Sequence, residues 1–292
     1  MQFINVLKII FFGIIEGITE WLPVSSTGHL IIFEKFCPIK NVSAGFMDLF
    51  EYLIQLGAIF AVVILFWNKL FPLGKAKQTD EENTGGKSKI VWKKDVLTMW
   101  LKVIVACVPA VLAIAIDQVF EKLSPLSETA IIAGALIVYG IVFILIEKWN
   151  EKRSPKITEI SALSYKYAFF IGCFQVLAAI PGTSRSGITI IGALLLGVNR
   201  TTSAEFTFFL AIPTMVGTSG YKILKFIMDE GSIAGAEIGY LLIGMAVAFA
   251  VSMVAIKFLM NFVKKHDFKV FGAYRILLGV VVISALIIPA LL

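Results

Sequence analysis

Six apolar runs, at 46 to 67, 98 to 118, 129 to 147, 205 to 227, 237 to 258 and 272 to 292, set the terms for this chain. Each approaches the ~20 residues that a helix needs to cross the hydrocarbon core of a bilayer. In lipid no water is present to satisfy a free N–H or C=O, so each run is expected to be a spanning helix bonded within itself. Composition agrees: 58% of the 292 residues are hydrophobic and 16% charged, against roughly 45–50% and ~25% in soluble domains. The sequence therefore reads as an all-α polytopic membrane protein with six full transmembrane helices. The N-terminal stretch is apolar but interrupted by Glu16 and Glu20, with no small-residue cleavage site behind it, so it is expected to be retained. Cys37, Cys107 and Cys173 are odd in number and widely spaced, which fits packing residues better than a disulfide or metal ligands.

The net charge of +6 follows the positive-inside rule rather than a nucleic-acid footprint. Residues 68 to 97 hold seven Lys or Arg, and 147 to 166 and 257 to 275 hold five each, the last group including Arg275. The loops 37 to 45, 119 to 128 and 228 to 237 hold only Lys40 and Lys122, although Lys222 and Lys225 sit close by. The first group is assigned to the cytoplasm. On that assignment the stretch between the third and fourth runs crosses an even number of times, which a re-entrant hairpin satisfies. Its arms, about 165 to 180 and 187 to 198, flank Pro181-Gly182, and a half-helix of ~10 residues rises ~15 Å, half the hydrocarbon core. Residues 6 to 36 repeat the plan around Leu22-Pro23 from the other side.

The copies align at an offset of 159 through Gly13/Gly172 and Glu16/Gln175, then at 158 from Pro23/Pro181 through Ser26/Ser184 and Thr27/Arg185, with Asp48/Glu205 at 157. Three spans per copy force opposite orientations, giving one membrane domain, 1–292, built of inverted repeats 1–147 and 148–292 with two re-entrant helical hairpins. The polar, Gly-containing loop from 71 to 94 reads as a solvated connector, and His266 as a wet loop histidine.

The chemistry concentrates at the two turns. Glu16 and Glu20 lie four apart on one helical face, where two carboxylates repel unless a cation or a proton intervenes. Hard oxygen ligands suit Mg²⁺ or Ca²⁺ bridged to phosphates, so Glu16 and Glu20 are candidate metal ligands; the alternative is a hydrogen-bonded pair steadying the hairpin. Ser25-Ser26-Thr27-Gly28 opens a half-helix and offers hydroxyls and free N–H groups to an anion, with N-capping as the plainer reading. His29, one turn on, is a candidate general acid or base, or else a buried structural histidine. Arg185 supplies a planar donor fork suited to phosphate, with Ser184, Ser186 and Thr189 around it; a structural bridge to a glutamate is its alternative. Asp48, Glu51 and Gln55 form a stripe beside them and read as supporting residues.

The stretches Glu16-Gly17-Ile18-Thr19-Glu20, Leu22-Pro23-Val24-Ser25-Ser26-Thr27-Gly28-His29, Ile54-Gln55-Leu56-Gly57 and Pro181-Gly182-Thr183-Ser184-Arg185-Ser186-Gly187-Ile188-Thr189 carry a close resemblance, nearly end to end, to the bacterial undecaprenyl-pyrophosphate phosphatases of the bacitracin-resistance type. The Lys-x6-Arg-Pro and Pro-Ser-Gly-His patterns of the unrelated superfamily with that activity do not occur. The resemblance implies hydrolysis of undecaprenyl diphosphate on the extracytoplasmic side of the bacterial cytoplasmic membrane with a divalent cation, recycling the lipid carrier of cell-wall polymers. On this reading Glu20, Ser26, His29 and Arg185 are catalytic, Ser26 as nucleophile or as a donor to an attacking water, and Ser25, Thr27, Ser184, Ser186 and Thr189 bind phosphate oxygens. The partners are the lipid substrate and the membrane, with no nucleic acid, and a homo-oligomer is allowed. A polyprenyl-phosphate transporter or flippase is the alternative, since inverted repeats with broken helices also serve alternating access.

Overall fold

Local sequence signals account for the helices before any packing is considered. In the helix Pro125–Asn150, Pro125 occupies the first turn, where its missing N–H costs nothing, Ser124 caps the Ser127 N–H, and Glu128 and Lys148 complement the dipole at opposite ends. The computed structural model describes residues 2–75, 90–120, 124–230, 233, 235–287 and 289. Residues 76–89, Lys122 and residues 231, 232 and 234 lie outside them.

In chain order, α1 (Phe3–Thr19) and α2 (Ser26–Phe36) form a first helical hairpin, followed by α3 (Phe46–Leu65) and the short α4 (Trp67–Leu70). Strands β1 (Leu73–Lys75) and β2 (Ile90–Trp92) pair antiparallel with Leu73 opposite Trp92, so the ends of the expected solvated connector are zipped together. Helix α5 (Lys94–Cys107) passes through a 3-10 turn at Pro109 into α6 (Val111–Phe120), and α7 (Pro125–Asn150) closes the first half. The second half has a hairpin of α8 (Tyr165–Val176) and α9 (Arg185–Leu195), then α10 (Arg200–Glu230), α11 (Gly235–Phe262) and α12 (Lys269–Val282).

Among the described residues, five helical stretches are long and apolar enough to cross a membrane: Phe46–Leu65, Lys94–Ala113, Pro125–Asn150, Gly235–Phe262 and Lys269–Ile287. The protein is a multi-pass helical membrane protein. The run expected at 205 to 227 forms the middle of α10, which has the length but a lower apolar content. The reason is visible in its hydroxyl groups, which are spent inside the protein. Thr214 Oγ1 donates to Leu210 O at 3.0 Å, Ser219 Oγ to Tyr52 O at 2.9 Å, and Thr207 meets Thr189 at 3.0 Å.

The two halves interlock. The most extensive helix contacts, α3 on α11, α7 on α12, α1 on α11, α3 on α10 and α5 on α8, all join one half to the other. Lipid tails are as apolar as leucine, so such contacts depend on close backbone approach at small residues rather than on hydrophobic burial. A Cβ on Gly13 would lie 2.9 Å from Gly244 O, and one on Gly172 would intrude on the Ala106 carbonyl. Both partners there are backbone and cannot turn aside. Gly172→Ala is therefore expected to force α8 off α5 at a cost of about 1–3 kcal/mol, read as a lower Tm in detergent; an unchanged Tm would show that the contact is loose.

Candidate active site

Each hairpin turns through a residue that favours no such turn by itself. Thr19 ends α1, Glu20 closes it with its N–H on Glu16 O at 3.0 Å, and Pro23 blocks further helix. Ser25 then adopts φ 75° and accepts from Gly28 N at 3.4 Å, capping α2. In the second hairpin Ser184 adopts φ 68° and accepts from Gly187 N at 3.2 Å, capping α9. A positive φ on a non-glycine residue costs on the order of 1 kcal/mol and persists only where surrounding contacts enforce it. The matching caps are Ser25/Ser184 and Gly28/Gly187, so the offset of 159 runs through both turns. The step to 158 read from the two prolines is corrected: Ser25, not Ser26, is the counterpart of Ser184, and Ser26 is the counterpart of Arg185.

Arg275 enforces both turns at once. Its side chain is wholly buried on α12 and donates to Pro23 O at 3.4 Å, Gly182 O at 3.0 Å and Thr183 O at 2.9 Å. Its place in the basic stretch 257 to 275 groups it with the cytoplasmic lysines and arginines; its position inside α12 instead gives carbonyls from the two turns a common donor. Without it they would be left unpaired in the interior.

The turns bring Glu20, Ser26, Arg185 and Ser186 together. Ser26 Oγ donates to Glu20 Oε2 at 2.9 Å, Arg185 Nη2 donates to Glu20 Oε1, and Ser186 Oγ donates to the Glu20 carbonyl at 3.1 Å. The other amino group of Arg185 reaches Thr214 Oγ1 at 3.2 Å. Glu20 is thus the hub: one oxygen faces the hydroxyl and the other the guanidinium. His29 does not face Ser26. Its Nδ1 lies 2.7 Å from Ser25 O, an acceptor only, so Nδ1 carries the proton; Nε2 lies 2.8 Å from the Tyr274 hydroxyl, and the two rings stack.

The remaining expected residues divide. Ser25 and Ser184 cap their helices, and Ser184 also meets Ser186 at 3.3 Å. Thr27 is exposed. Thr189 Oγ1 donates back to Arg185 O at 2.9 Å and pairs with Thr207, which fixes the start of α9 against α10. Glu205 lies apart from the turns, ion-paired to Lys69 at 2.7 Å.

Glu16 is fully buried, and no N–H or hydroxyl donor among the described residues reaches its carboxylate oxygens, whose side-chain neighbour is the Glu20 carboxyl. Its charged neighbours are Glu20, Glu51 and Arg185. Gln175, its counterpart in the other hairpin, is also buried, with both amide atoms unpartnered among the described residues. An unpaired buried carboxylate beside a second one is an oxygen donor set that fits a hard divalent cation. No cluster of three or more His, Cys, Asp and Glu gathers there among the described residues. The protein offers part of a coordination shell, the kind that Mg²⁺ completes with water and phosphate oxygens.

Tyr274, Arg275 and Thr214 were not found by reading the sequence. The one signal available was Arg275 inside an apolar run, where a charge marks a functional position by default.

Fold and site define a multi-pass membrane protein in which an acid, a hydroxyl and a guanidinium meet where two interrupted helices touch. Residues 9–281 match the family model described as Bacitracin resistance protein BacA, and the chain belongs to that family. It is 53% identical over 284 residues to an undecaprenyl-diphosphatase of Enterococcus faecalis, covering 97% of this chain and 98% of that protein. Identity to one from Lachnoclostridium phytofermentans is 52% over 282 residues, 97% of each, and to one from Streptococcus pyogenes serotype M1 51% over 280 residues, 96% and 95%.

Arg275→Lys keeps the charge but loses the fork that spans both turns. With each charge-assisted bond contributing about 1.5–3 kcal/mol, a Tm drop of several degrees is expected. Wild-type stability in that variant would remove Arg275 as the clamp.

Proposed function

We propose that this site hydrolyses undecaprenyl diphosphate to undecaprenyl phosphate and inorganic phosphate, returning the carrier lipid to the synthesis of peptidoglycan and other cell-wall polymers. The three relatives reported above bear the name undecaprenyl-diphosphatase, and family membership links the activity to bacitracin resistance. The observation that carries the reading is the contact of Ser26 Oγ with Glu20 Oε2 at 2.9 Å, with Arg185 on the other carboxylate oxygen. A transporter needs charge compensation at this point but no hydroxyl set against a carboxylate base.

The chemistry follows from those contacts. The diphosphate enters between the hairpin tips and draws Arg185 from Glu20 onto a phosphoryl oxygen, a better-matched bidentate partner. Glu20, released from the ion pair, takes the proton of Ser26 as Oγ attacks the terminal phosphorus. The O–P bond forms as the bond from that phosphorus to the bridging oxygen breaks, and the electron pair leaves with undecaprenyl phosphate. Glu20 passes that proton to the departing phosphate oxygen; water then attacks the phosphoserine with Glu20 accepting its proton, and the proton returns to Ser26 Oγ as the Oγ–P bond breaks and phosphate leaves. His29 holds the carbonyl of Ser25 and so fixes the Ser25–Ser26 turn, while the Tyr274 hydroxyl on Nε2 holds the imidazole in that orientation. Glu16, with Glu20, would hold Mg²⁺ or Ca²⁺, which when bound neutralises charge on the diphosphate. In the membrane the two hairpins are re-entrant and their tips lie near midplane. Together with α10 as the sixth span, they make inverted repeats 1–147 and 148–292 that open to the extracytoplasmic side of the cytoplasmic membrane.

Phosphate release from purified protein in detergent, where no membrane separates compartments, tests this. Glu20→Gln should lose about 10²–10⁴-fold, and Ser26→Ala should lose turnover while still binding substrate. Glu16→Gln should need more divalent cation for half-activity. Substantial turnover in Ser26→Ala would assign the attack to water, and an unshifted cation titration would remove Glu16 from the metal site.

A further inference from the structure

At the opposite end of α9 from Arg185, a cavity of about 670 Å³ opens between the end of α7, the α9–α10 turn and the end of α11. Helix α9 is 11 residues long, which separates the cavity from the active site by ~16 Å at 1.5 Å per residue. Its walls carry the cations Arg153, Lys156, Arg200 and Lys264 and a single carboxylate, Glu147.

That carboxylate is already used. Glu147 is fully buried; its oxygens accept from Arg200 Nε at 3.0 and 3.1 Å, from Arg200 Nη2 at 2.6 Å and from the Phe268 N–H at 3.0 Å. It neutralises Arg200 and leaves nothing for the other three. Arg153, Lys156 and Lys264 make no side-chain hydrogen bond or ion pair among the described residues. Arg153 instead lies flat on the Trp149 ring, 3.4 Å from its centroid, an arrangement that leaves its N–H edges free. Lys156 is held to the floor by its backbone, whose N–H donates to Gly197 O at 2.8 Å. The rim is different: Trp149, near the end of the spanning helix α7, and Leu195, at the end of α9, are 42% and 38% exposed.

Unpaired cations around a cavity of small-ligand size, with an apolar rim beside the end of the spanning helix α7, match one class of ligand. We propose that this cavity binds the phosphate-bearing headgroup of an anionic membrane phospholipid. Arg153, Lys156 and Lys264 meet the phosphate, and Trp149 and Leu195 seat the first carbons of the acyl chains. A site of this kind ties α7, α9 and α11 together at the end of the bundle remote from the chemistry, and so holds the second hairpin in place.

Thermal unfolding of the purified full chain in detergent tests this, with short-chain phosphatidylglycerol, phosphatidylcholine of the same chain length, or inorganic phosphate added. Phosphatidylglycerol at saturation should raise Tm by about 5 °C, and the other two should not. The triple variant Arg153→Gln/Lys156→Gln/Lys264→Gln should lose that rise and keep phosphate release within about twofold of wild type, as exposed substitutions do. Should the triple variant fail to fold, Lys264→Gln alone should weaken the lipid midpoint several-fold. A rise with inorganic phosphate equal to that with lipid would make the ligand a free anion and overturn the lipid assignment. No rise in the wild type, or a rise undiminished in the variants, would overturn the site.

Discussion

A carboxylate and a guanidinium face each other in the apolar interior at Glu20 and Arg185, and the rest of the molecule is arranged around that pair. Neither charge is tolerable there alone: removing one partner of a buried pair typically costs 3–5 kcal/mol, because the other is stranded. The side chains are 9% and 18% exposed and belong to different hairpins. The pair therefore joins the two halves at their turns. On the function proposed above, an anionic substrate that draws Arg185 away would leave the carboxylate facing Ser26 alone, so substrate entry and activation of the nucleophile would be one event.

Placing two turns within reach of one ion pair requires tight scaffolding. Helices α7 and α12 approach until a Cβ on Gly272 would stand 2.7 Å from Gly140 O, and this contact sets Arg275 beneath both turns. Helices α1 and α8 dock through Gly13 and Gly172 onto the opposite half in the same manner. The strained φ at Ser25 and Ser184 is sustained by these supports, and the two turns set Ser26 and Arg185 on opposite oxygens of Glu20.

Much of this could be read from residue order. The apolar runs marked the spanning helices, because length against bilayer thickness is a one-dimensional property. The cassettes at 16 to 29 and 175 to 189 stand out because polar groups are rare in such a chain, and the fold brings Glu20 and Ser26 of the first against Arg185 and Ser186 of the second. What escaped depended on facing. Arg275 sits between a basic loop and an apolar run, and only packing shows that it points inward. Tyr274 has no signature until His29 is seen to spend Nδ1 on Ser25 O. The threonines and serines of α10 lower its apolar character, yet they serve the interior. The register of the repeat was misjudged by one residue because two prolines were aligned, whereas the structure matches the positive-φ serines, a property that no side chain announces. The Glu147–Arg200 pair was missed for a similar reason: each residue ends an element and reads as an ordinary loop charge.

The central claim is that Arg185 acts on phosphate and does not merely bridge Glu20. Specific activity and Tm measured on the same preparations of Arg185→Lys and Arg185→Ala test it most directly. Arg185→Lys keeps the charge opposite Glu20 but lacks the bidentate fork, so activity should fall about 10- to 150-fold, as for charge-assisted bonds of about 1.5–3 kcal/mol, while most of the stability remains. Folded Arg185→Ala with full specific activity and only a lowered Tm would contradict the account.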